Sequence, residues 1–329
     1  MTDSTPTGTN SAATGDDNLD TAALIRAAET GEAKAQVKLA HLHIVGRGVP
    51  KDRSAAVEWA RKAADQGDGD GQIYLGGLYE KGWGVPQDDT EAEAWYLKAA
   101  NQGSVRAYIH IAWLYRNGGR DHAKAASWYR KAAEAGNAHG QCCLGEMYAK
   151  GLGVTQDDVE AVTLYRKAAE QGDADGQRNL GEMYAAGRGV PKDEREAAAW
   201  YLRAAEQGDP LAQIKLAEAY ARGCGVPKDF DAAAAWFCKA DEQDTEFDFA
   251  RLRQVYEKKY GLPLEKILDA YRRAAEAGSL FWQMTLAYMY EEGDSVPIDK
   301  TEALKWFRMA AAQGNEFAQK HIKTCGDKS

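Results

Sequence analysis

The chain has 329 residues and a formal net charge of −9, from 50 acidic and 41 basic side chains. Because nucleic acids and anionic membranes attract basic surfaces, this balance argues against both as partners. The contents of hydrophobic residues (44%) and charged residues (28%) are those of a globular chain. No run of about 18 apolar residues is present to cross a membrane.

Residues 1–19 are rich in Thr, Ser, Asp and Gly and contain almost no apolar side chains. Burial of this segment would not offset the entropy lost on ordering it, so we predict a disordered tail. It has no apolar run of the kind found in signal peptides, which predicts a cytoplasmic location. From Asp20 a helical pattern begins with Leu24 and Ile25, and we expect a lone helix that covers the apolar end of the array that follows.

An internal repeat occupies almost all of the remaining chain. Its copies follow one another at intervals of 33 to 36 residues, and a fixed period of this size is typical of stacked supersecondary units. Partial copies flank the set on both sides. The eight copies begin at Gly31, Gly67, Gly103, Gly136, Gly172, Gly208, Asp244 and Gly278.

The copy that begins at Gly172 contains a first helical pattern that ends in a glycine-rich loop. Gln177, Leu180 and Tyr184 are spaced as one face of a helix. Gly187 follows them and Pro191 comes soon after. Glycine can adopt the left-handed conformation that ends a helix, and proline cannot continue one, so the first helix is predicted to stop here.

A second helical pattern completes the same copy. Asp193 with Glu196 three residues on is predicted to form a capping box at its start, and Gly208 ends it. Each copy is therefore an antiparallel helix pair, in which small residues such as Gly181 let the two helices approach closely. The recurring tryptophans are expected to fill the space between neighbouring pairs: Trp59, Trp95, Trp128, Trp200, Trp236 and Trp306.

The repeated residues resemble a known family. Residues 72–88 carry the spacing QxxLGxxYxxGxGVPxD, and residues 95–100 read WYLKAA. These motifs are similar to the Sel1-like repeat (SLR), a relative of the tetratricopeptide repeat. The resemblance implies an all-α fold, a right-handed α/α superhelical solenoid of about eight helix pairs over residues 20–326, capped by half-repeats. It also implies protein–protein contacts, usually without catalysis, and is consistent with a bacterial source.

Two copies depart from the pattern. The third lacks three residues of its loop, where residues 117–120 replace the usual turn. In the seventh, Asp244 stands for the opening glycine and residues 259–263 replace the loop, although Tyr256 and Tyr271 keep the framework. We expect this pair to form with a local change of superhelical pitch. Both drift and a bend made for a partner are open explanations.

No catalytic or cofactor motif is present. The glycine-rich loops lack the preceding strand and the Lys-Ser/Thr ending of a phosphate-binding loop. His139, Cys142 and Cys143 share one helix face and are candidate metal ligands, but packing of Cys142 and solvation of His139 is the preferred interpretation. The five cysteines show no disulfide pattern. We therefore predict a non-enzymatic protein with no cofactor and no metal.

In solenoids of the family that the chain resembles, the first helices line the concave face. Counted from the opening residue of each repeat, positions 3, 7 and 10 are expected to lie there, because they share one helical stripe away from the buried residues. The residues predicted to bind a partner are Arg106, His110, Trp113, Glu146, Asn179, Glu182, Lys215, Glu218 and Tyr288.

Two questions about these residues stay open in the sequence. Trp113 and Tyr288 are either interface anchors or side chains turned against a neighbouring repeat. Glu146, Glu182 and Glu218 form either an acidic strip for a basic segment or a solvated helix face, paired with Lys150, Arg222 or each other's neighbours.

The function predicted is that of an interaction module or adaptor that binds a protein or peptide. The alternative, which the resemblance allows for bacterial members, is an immunity- or inhibitor-type protein that neutralises one effector enzyme. The sequence leaves the partner and the oligomeric state open.

Overall fold

The computed structural model of the chain describes residues 21–117, 121–243, 256–294 and 296–326. The predictions made for residues 1–19, for the loop at 118–120 and for most of the first helix of the seventh repeat lie outside these ranges. In the described ranges every regular element is a helix. The all-α fold class is confirmed.

The helices alternate between the two kinds that the repeat predicts. The first helices of the pairs are α2 (Ala33–Val45), α4 (Gly69–Lys81), α6 (Val105–Asn117), α8 (Ala138–Lys150), α10 (Ala174–Ala186), α12 (Pro210–Arg222), α15 (Leu280–Glu292) and α17 (Glu316–Gly326). The second helices are α1 (Thr21–Glu29), α3 (Arg53–Asp65), α5 (Asp89–Asn101), α7 (His122–Glu134), α9 (Asp158–Glu170), α11 (Glu194–Glu206), α13 (Phe230–Asp241), α14 (Leu264–Glu276) and α16 (Lys300–Ala312). Residues 256–260 are also helical.

Packing follows chain order. Helices that are consecutive in the chain make the main contacts, as expected for a solenoid of helix pairs. The chain divides into two compact units, Met1–Trp128 and Tyr129–Ser329, and each is described by itself below.

Most second helices begin at an aspartate, α14 with Pro263 at its N-cap being an exception, and half of the predicted capping box is confirmed. In α5, Asp88 Oδ1 accepts hydrogen bonds from the amides of Thr90 (2.9 Å) and Glu91 (3.1 Å). The other half is wrong, because the amide of Asp88 donates to the carbonyl of Tyr79 at 3.0 Å. The loop thus returns the chain to the end of the first helix. The same backbone bond forms at Asp157, Asp193, Asp229 and Asp299.

A glycine on the first helix faces a tyrosine ring on the second. A Cβ added at Gly76 would lie 2.6 Å from Cε1 of Tyr96, and one at Gly181 would lie 2.7 Å from Cε1 of Tyr201. Real Cβ atoms do not come so close, so these two helices pack at this distance only because glycine is present. The prediction of close approach at Gly181 is confirmed. Glycine is needed there because the Tyr201 ring occupies the space that a Cβ would take.

The tyrosine or phenylalanine that follows the tryptophan position is the main aromatic of the core. These side chains are buried: Tyr96, Tyr129, Tyr165, Tyr201, Phe237, Tyr271 and Phe307. Trp95 and Trp306 are buried too, but the other four tryptophans of the expected ladder are only half-buried. Trp200 is one of them, and the guanidinium carbon of Arg203 lies 4.4 Å from its ring centroid. The expectation holds in part. Half-buried tryptophans such as Trp200 pack against clusters drawn from neighbouring repeats, but the smaller ring of the next residue is buried more deeply.

Buried glutamines join three successive helices. Gln177 of α10 donates from Nε2 to the carbonyl of Ala169 on α9 at 3.2 Å, and its Oε1 accepts from Gln207 at the end of α11 at 2.8 Å. Both polar atoms of a 5%-exposed side chain are thereby satisfied. The buried glutamines of this kind are Gln36, Gln72, Gln141, Gln177, Gln213 and Gln283.

Candidate functional site

The nine residues predicted to bind a partner all lie on first helices, at positions 3, 7 or 10 of their repeats. We call the stripe made by these positions the first-helix face. None of the nine side chains belongs to the buried class: Arg106, Glu182 and Tyr288 are exposed, and His110, Trp113, Glu146, Asn179, Lys215 and Glu218 are half-buried. By contrast, the Gln and Leu positions of the same helices are buried.

In the first unit, α6 carries Arg106, His110 and Trp113 on one side. The Arg106 guanidinium forms an ion pair with Asp70 of α4, with 2.7 Å between Nη1 and Oδ1. Both side chains of this pair are more than half exposed, so it stabilises the fold little and leaves Arg106 available. The His110 ring stacks on Tyr96, with centroids 5.0 Å apart and an angle of 17° between the planes.

Burial sets the charge state of His110. Loss of solvent, followed by the positive charges of Arg106 and Lys81, lowers the pKa of this imidazole to about 4. His110 is therefore neutral at pH 7 and contributes an aromatic surface rather than a cation beside Trp113. The part of the first-helix face made by His110 and Trp113 is consequently apolar, and the exposed guanidinium of Arg106 lies near the start of the same helix.

In the second unit, each glutamate of the predicted acidic strip has a cation within its reach. Lys150 Nζ lies 2.6 Å from Glu146 Oε1, as the solvated-face interpretation expected. Arg178 Nη1 lies 3.9 Å from Glu182 Oε1, so this carboxylate is the least engaged of the three.

The third glutamate, Glu218, is contacted by two residues of the irregular seventh repeat. The Tyr260 hydroxyl donates to Glu218 Oε1, and Lys259 Nζ lies 3.6 Å from the same oxygen. The sequence predicted Arg222 as a partner, but the Arg222 guanidinium carbon instead lies 5.3 Å from the centroid of the Tyr260 ring.

The remaining predicted residues differ in their surroundings. Asn179 accepts from Arg178 at 2.9 Å and donates from Nδ2 to the sulfur of Cys142 at 3.5 Å. Tyr288 is 39% exposed, yet its ring contacts Phe307 edge-on with centroids 5.3 Å apart. Tyr288 therefore has both an exposed side and a side packed on the adjoining helix.

Sequence reasoning missed a buried carboxylate next to the irregular repeat. Asp241 is only 4% exposed and accepts hydrogen bonds from the hydroxyls of Tyr256 (2.5 Å) and Tyr271 (2.9 Å). The sequence does contain a signal for this carboxylate, because Asp241 stands where the preceding repeats have the alanines Ala205 and Ala169. The polar triad fixes residues 256–260 against α13 and α14.

A second missed feature is a concave pocket between the fifth and sixth repeats, with a volume of about 200 Å³. Two predicted residues, Lys215 and Glu218, take part in it. Its lining consists of Ala185, Glu194, Ala197, Ala198, Tyr201, Lys215, Glu218, Ala219, Arg222 and Cys224.

Metal-binding and membrane-spanning features are both absent from the described ranges. Across those residues, no group of three or more His, Cys, Asp and Glu side chains is arranged to hold a metal ion. Of the candidate ligands, His139 Nε2 and Cys143 Sγ lie 3.5 Å apart within α8, and burial raises the pKa of the Cys142 thiol well above its usual range. None of the described helices is long and apolar enough to cross a membrane.

Comparison with known proteins places this geometry among related chains. A family model described as the Sel1 repeat matches seven stretches, residues 33–68, 69–104, 105–137, 138–173, 174–209, 210–244 and 283–315. The predicted seventh repeat lies between the last two. Comparison with curated proteins gives no match.

Two solved structures are similar over nearly the whole chain. One is a protective antigen of uropathogenic Escherichia coli strains that displays an SLR fold, with 36% identity, a TM-score of 0.64, and coverage of 94% of this chain and 68% of that one. The other is a Sel1 repeat protein from Oxalobacter formigenes, with 33% identity, a TM-score of 0.59, and coverage of 93% and 80%.

Proposed function

The chain belongs to the Sel1 repeat family, and from that premise we propose that it is a non-catalytic, cytoplasmic adaptor of bacterial origin that binds a protein or peptide on its first-helix face. Sel1 repeat proteins are generally protein-interaction modules.

The observation that carries the proposal is the contrast between framework and face on the same helices. In α10 the Gln177 and Leu180 side chains are buried, while Asn179 and Glu182 at positions 7 and 10 stay accessible. The framework residues recur from repeat to repeat, whereas the accessible positions vary along the chain, although three successive repeats share a glutamate at position 10. Such a surface offers a distinct set of contacts at every step without disturbing the fold.

The most suitable anchor region is the α6 part of this face. Large aromatic side chains at accessible positions supply most of the binding energy at many interfaces. Trp113 beside the neutral ring of His110 provides that apolar contact, and the exposed Arg106 offers a charge. The acidic strip is a weaker candidate, because Glu146 and Glu218 already have intramolecular partners.

Co-purification of the tagged chain from its native cell, followed by mass spectrometry, identifies the partner, and calorimetry then measures its affinity for variants. Trp113→Ala should weaken binding by about 1–3 kcal/mol if Trp113 is an anchor. Glu182→Lys should change the salt dependence if the partner reaches the second unit.

The matched control is Glu206→Lys, which makes the same charge change at an exposed position on the second helix α11. The proposal is wrong if Glu206→Lys weakens binding while the first-helix variants leave the affinity within about twofold, a difference below 0.5 kcal/mol.

A further inference from the structure

The loops of the repeats dock onto the preceding second helix in a fixed register. A Cβ added at Gly189 would lie 2.1 Å from the carbonyl oxygen of Asp158, and one at Gly225 would lie 1.9 Å from that of Glu194. Both loops therefore touch the first residue of the preceding second helix with their backbones. The residue before each of these glycines is held beside that helix start.

In the fifth repeat this preceding residue is Arg188, and its guanidinium forms hydrogen bonds at that helix start. Arg188 donates from Nη2 to Asp158 Oδ1 at 2.5 Å and from Nε to Asp158 Oδ2 at 3.1 Å. Nη2 also donates to the carbonyl of Ala149, at the end of α8, at 2.8 Å. A carboxylate and a helix-end carbonyl thus form a complete site for one guanidinium, with the planar fork geometry that arginine requires.

In the sixth repeat a carboxylate and a helix-end carbonyl are present at the equivalent positions, but the arginine is replaced. Thirty-six residues after Ala149, Asp158 and Arg188, the chain has Ala185, Glu194 and Cys224. Cys224 is too short to reach across, and all three residues line the pocket of about 200 Å³. One water occupies about 30 Å³ of liquid volume, so the space admits a guanidinium with part of its methylene chain.

We propose that this pocket binds the guanidinium of an arginine side chain from the partner, held by the Glu194 carboxylate and the Ala185 carbonyl as Arg188 is held one repeat earlier. The proposal deepens the function proposed above and rests on it for the identity of the ligand as part of a protein. Lys215 and Glu218 of the first-helix face line the same pocket, so a segment that lies along that face passes its mouth.

The charged side chains at the pocket are of both signs, and Glu194 and Glu218 are the ones that favour a cationic ligand. Lys192 Nζ lies 2.7 Å from Glu194 Oε1, with side chains 59% and 42% exposed. An exposed pair of this kind is worth only about 0–1 kcal/mol, so an arriving guanidinium can replace the lysine. Arg222 packs over the Tyr260 ring at 5.3 Å. Lys215 and Arg222 do oppose a cation by charge, which makes an anion the rival ligand in the experiment.

The test is a titration of the full chain with N-acetyl-arginine amide, followed by amide chemical shifts in NMR. We expect shifts centred on residues 185, 194 and 224, with N-acetyl-glutamine amide and acetate as matched neutral and anionic probes. Glu194→Gln should weaken binding of the arginine probe about tenfold, since it replaces a charge-assisted hydrogen bond with a neutral one. Glu194 is half-buried with 42% of its side chain exposed, and glutamine has nearly the same size, so this substitution should not disturb the fold.

A pair of reciprocal variants sharpens the result. Cys224→Arg should fill the pocket as Arg188 does and abolish the shifts, while Arg188→Cys should open a second site with new shifts around Asp158. The proposal is overturned if the arginine probe binds no more tightly than the glutamine probe, if acetate binds instead, or if Cys224→Arg leaves binding unchanged. Because the probe needs no partner, these outcomes are independent of whether the first-helix face binds a protein.

Discussion

At the scale of single residues, two adjacent glycines in α4 have opposite roles. A Cβ at Gly76 would lie 2.6 Å from the Tyr96 ring, whereas a Cβ at Gly77 would meet only the Tyr96 hydroxyl at 3.6 Å, an ordinary contact. Gly76 therefore permits packing, and Gly77 only adds freedom to the unfolded chain.

Gly76→Ala is expected to destabilise the protein by about 1–3 kcal/mol through overpacking, and Gly77→Ala to stabilise it by about 0.5–1 kcal/mol, the usual gain for alanine over glycine inside a helix. Urea unfolding of the two variants measures both changes. Equal effects of the same sign would contradict the assigned contacts.

His110 gives a prediction for pH. Its pKa in the folded protein is about 4, below the unfolded value of about 6.5. Between these values the unfolded chain binds more protons, so His110 makes the folded state less stable as the pH falls from about 6.5 to about 4, and has no such effect above that range. His110→Gln should remove this contribution, which shows as a smaller loss of unfolding free energy between pH 7 and pH 5. An NMR titration of His110 with a midpoint near 6.5 would refute the assignment.

At the scale of elements, the buried glutamine of each first helix connects successive helices through its side-chain hydrogen bonds. Gln177→Leu leaves the carbonyl of Ala169 and the amide of Gln207 without their bonds to Gln177. The Ala169 carbonyl keeps its hydrogen bond from the amide of Gly172 at 3.0 Å, and the Gln207 amide is exposed to water. The expected cost is therefore that of two lost hydrogen bonds, about 0.5–1.5 kcal/mol each. Gln207→Ala is the matched comparison, because Gln207 is exposed and its loss leaves one oxygen of Gln177 open. We expect Gln177→Leu to lower the unfolding free energy by more than Gln207→Ala does. The reverse order would contradict the role of Gln177 in connecting the three helices.

Helices and loops were predictable from the sequence because their signals are local. The glycine that ends α10 and the aspartate that begins α11 are read within a few residues of the elements they bound. What could not be predicted depends on contacts between repeats. The burial of Tyr201 in preference to Trp200 is decided by the facing Gly181, and the cover over Glu218 comes from Tyr260 in the seventh repeat.

The pocket at Cys224 shows the same limit at the candidate site. The pocket exists because a short residue, Cys224, stands in the loop next to Glu194 of the preceding second helix. The glycines that dock this loop on that helix were interpreted from the sequence only as helix stops. The positions of the first-helix face were predictable from helical periodicity. The partners of Glu182 and Glu218 were not, since they depend on how long side chains of neighbouring turns and repeats arrange themselves.

At the scale of the molecule, the main contacts within each unit join helices that are neighbours in the chain. Stability in such an array is close to a sum of repeat terms and nearest-neighbour terms. A defect in one pair should therefore loosen that pair and the helices beside it before it affects distant ones. Tyr201 is a suitable place for such a defect, because it is 6% exposed and lies in the cluster that joins α11 to α12.

Tyr201→Ala is expected to cost about 3–5 kcal/mol, the range for removing a buried aromatic side chain, and the half-buried Trp200→Ala on the same helix should cost less. Hydrogen exchange should accelerate in α10, α11 and α12, while α16 in the same unit and α4 in the other keep their protection. The comparison of α11 with α16 is decisive, because both are second helices of the same unit, and α11 contains the substitution whereas α16 lies far from it along the chain. Equal acceleration in both would mean that the unit opens as a whole, and the nearest-neighbour description would then be wrong for this protein.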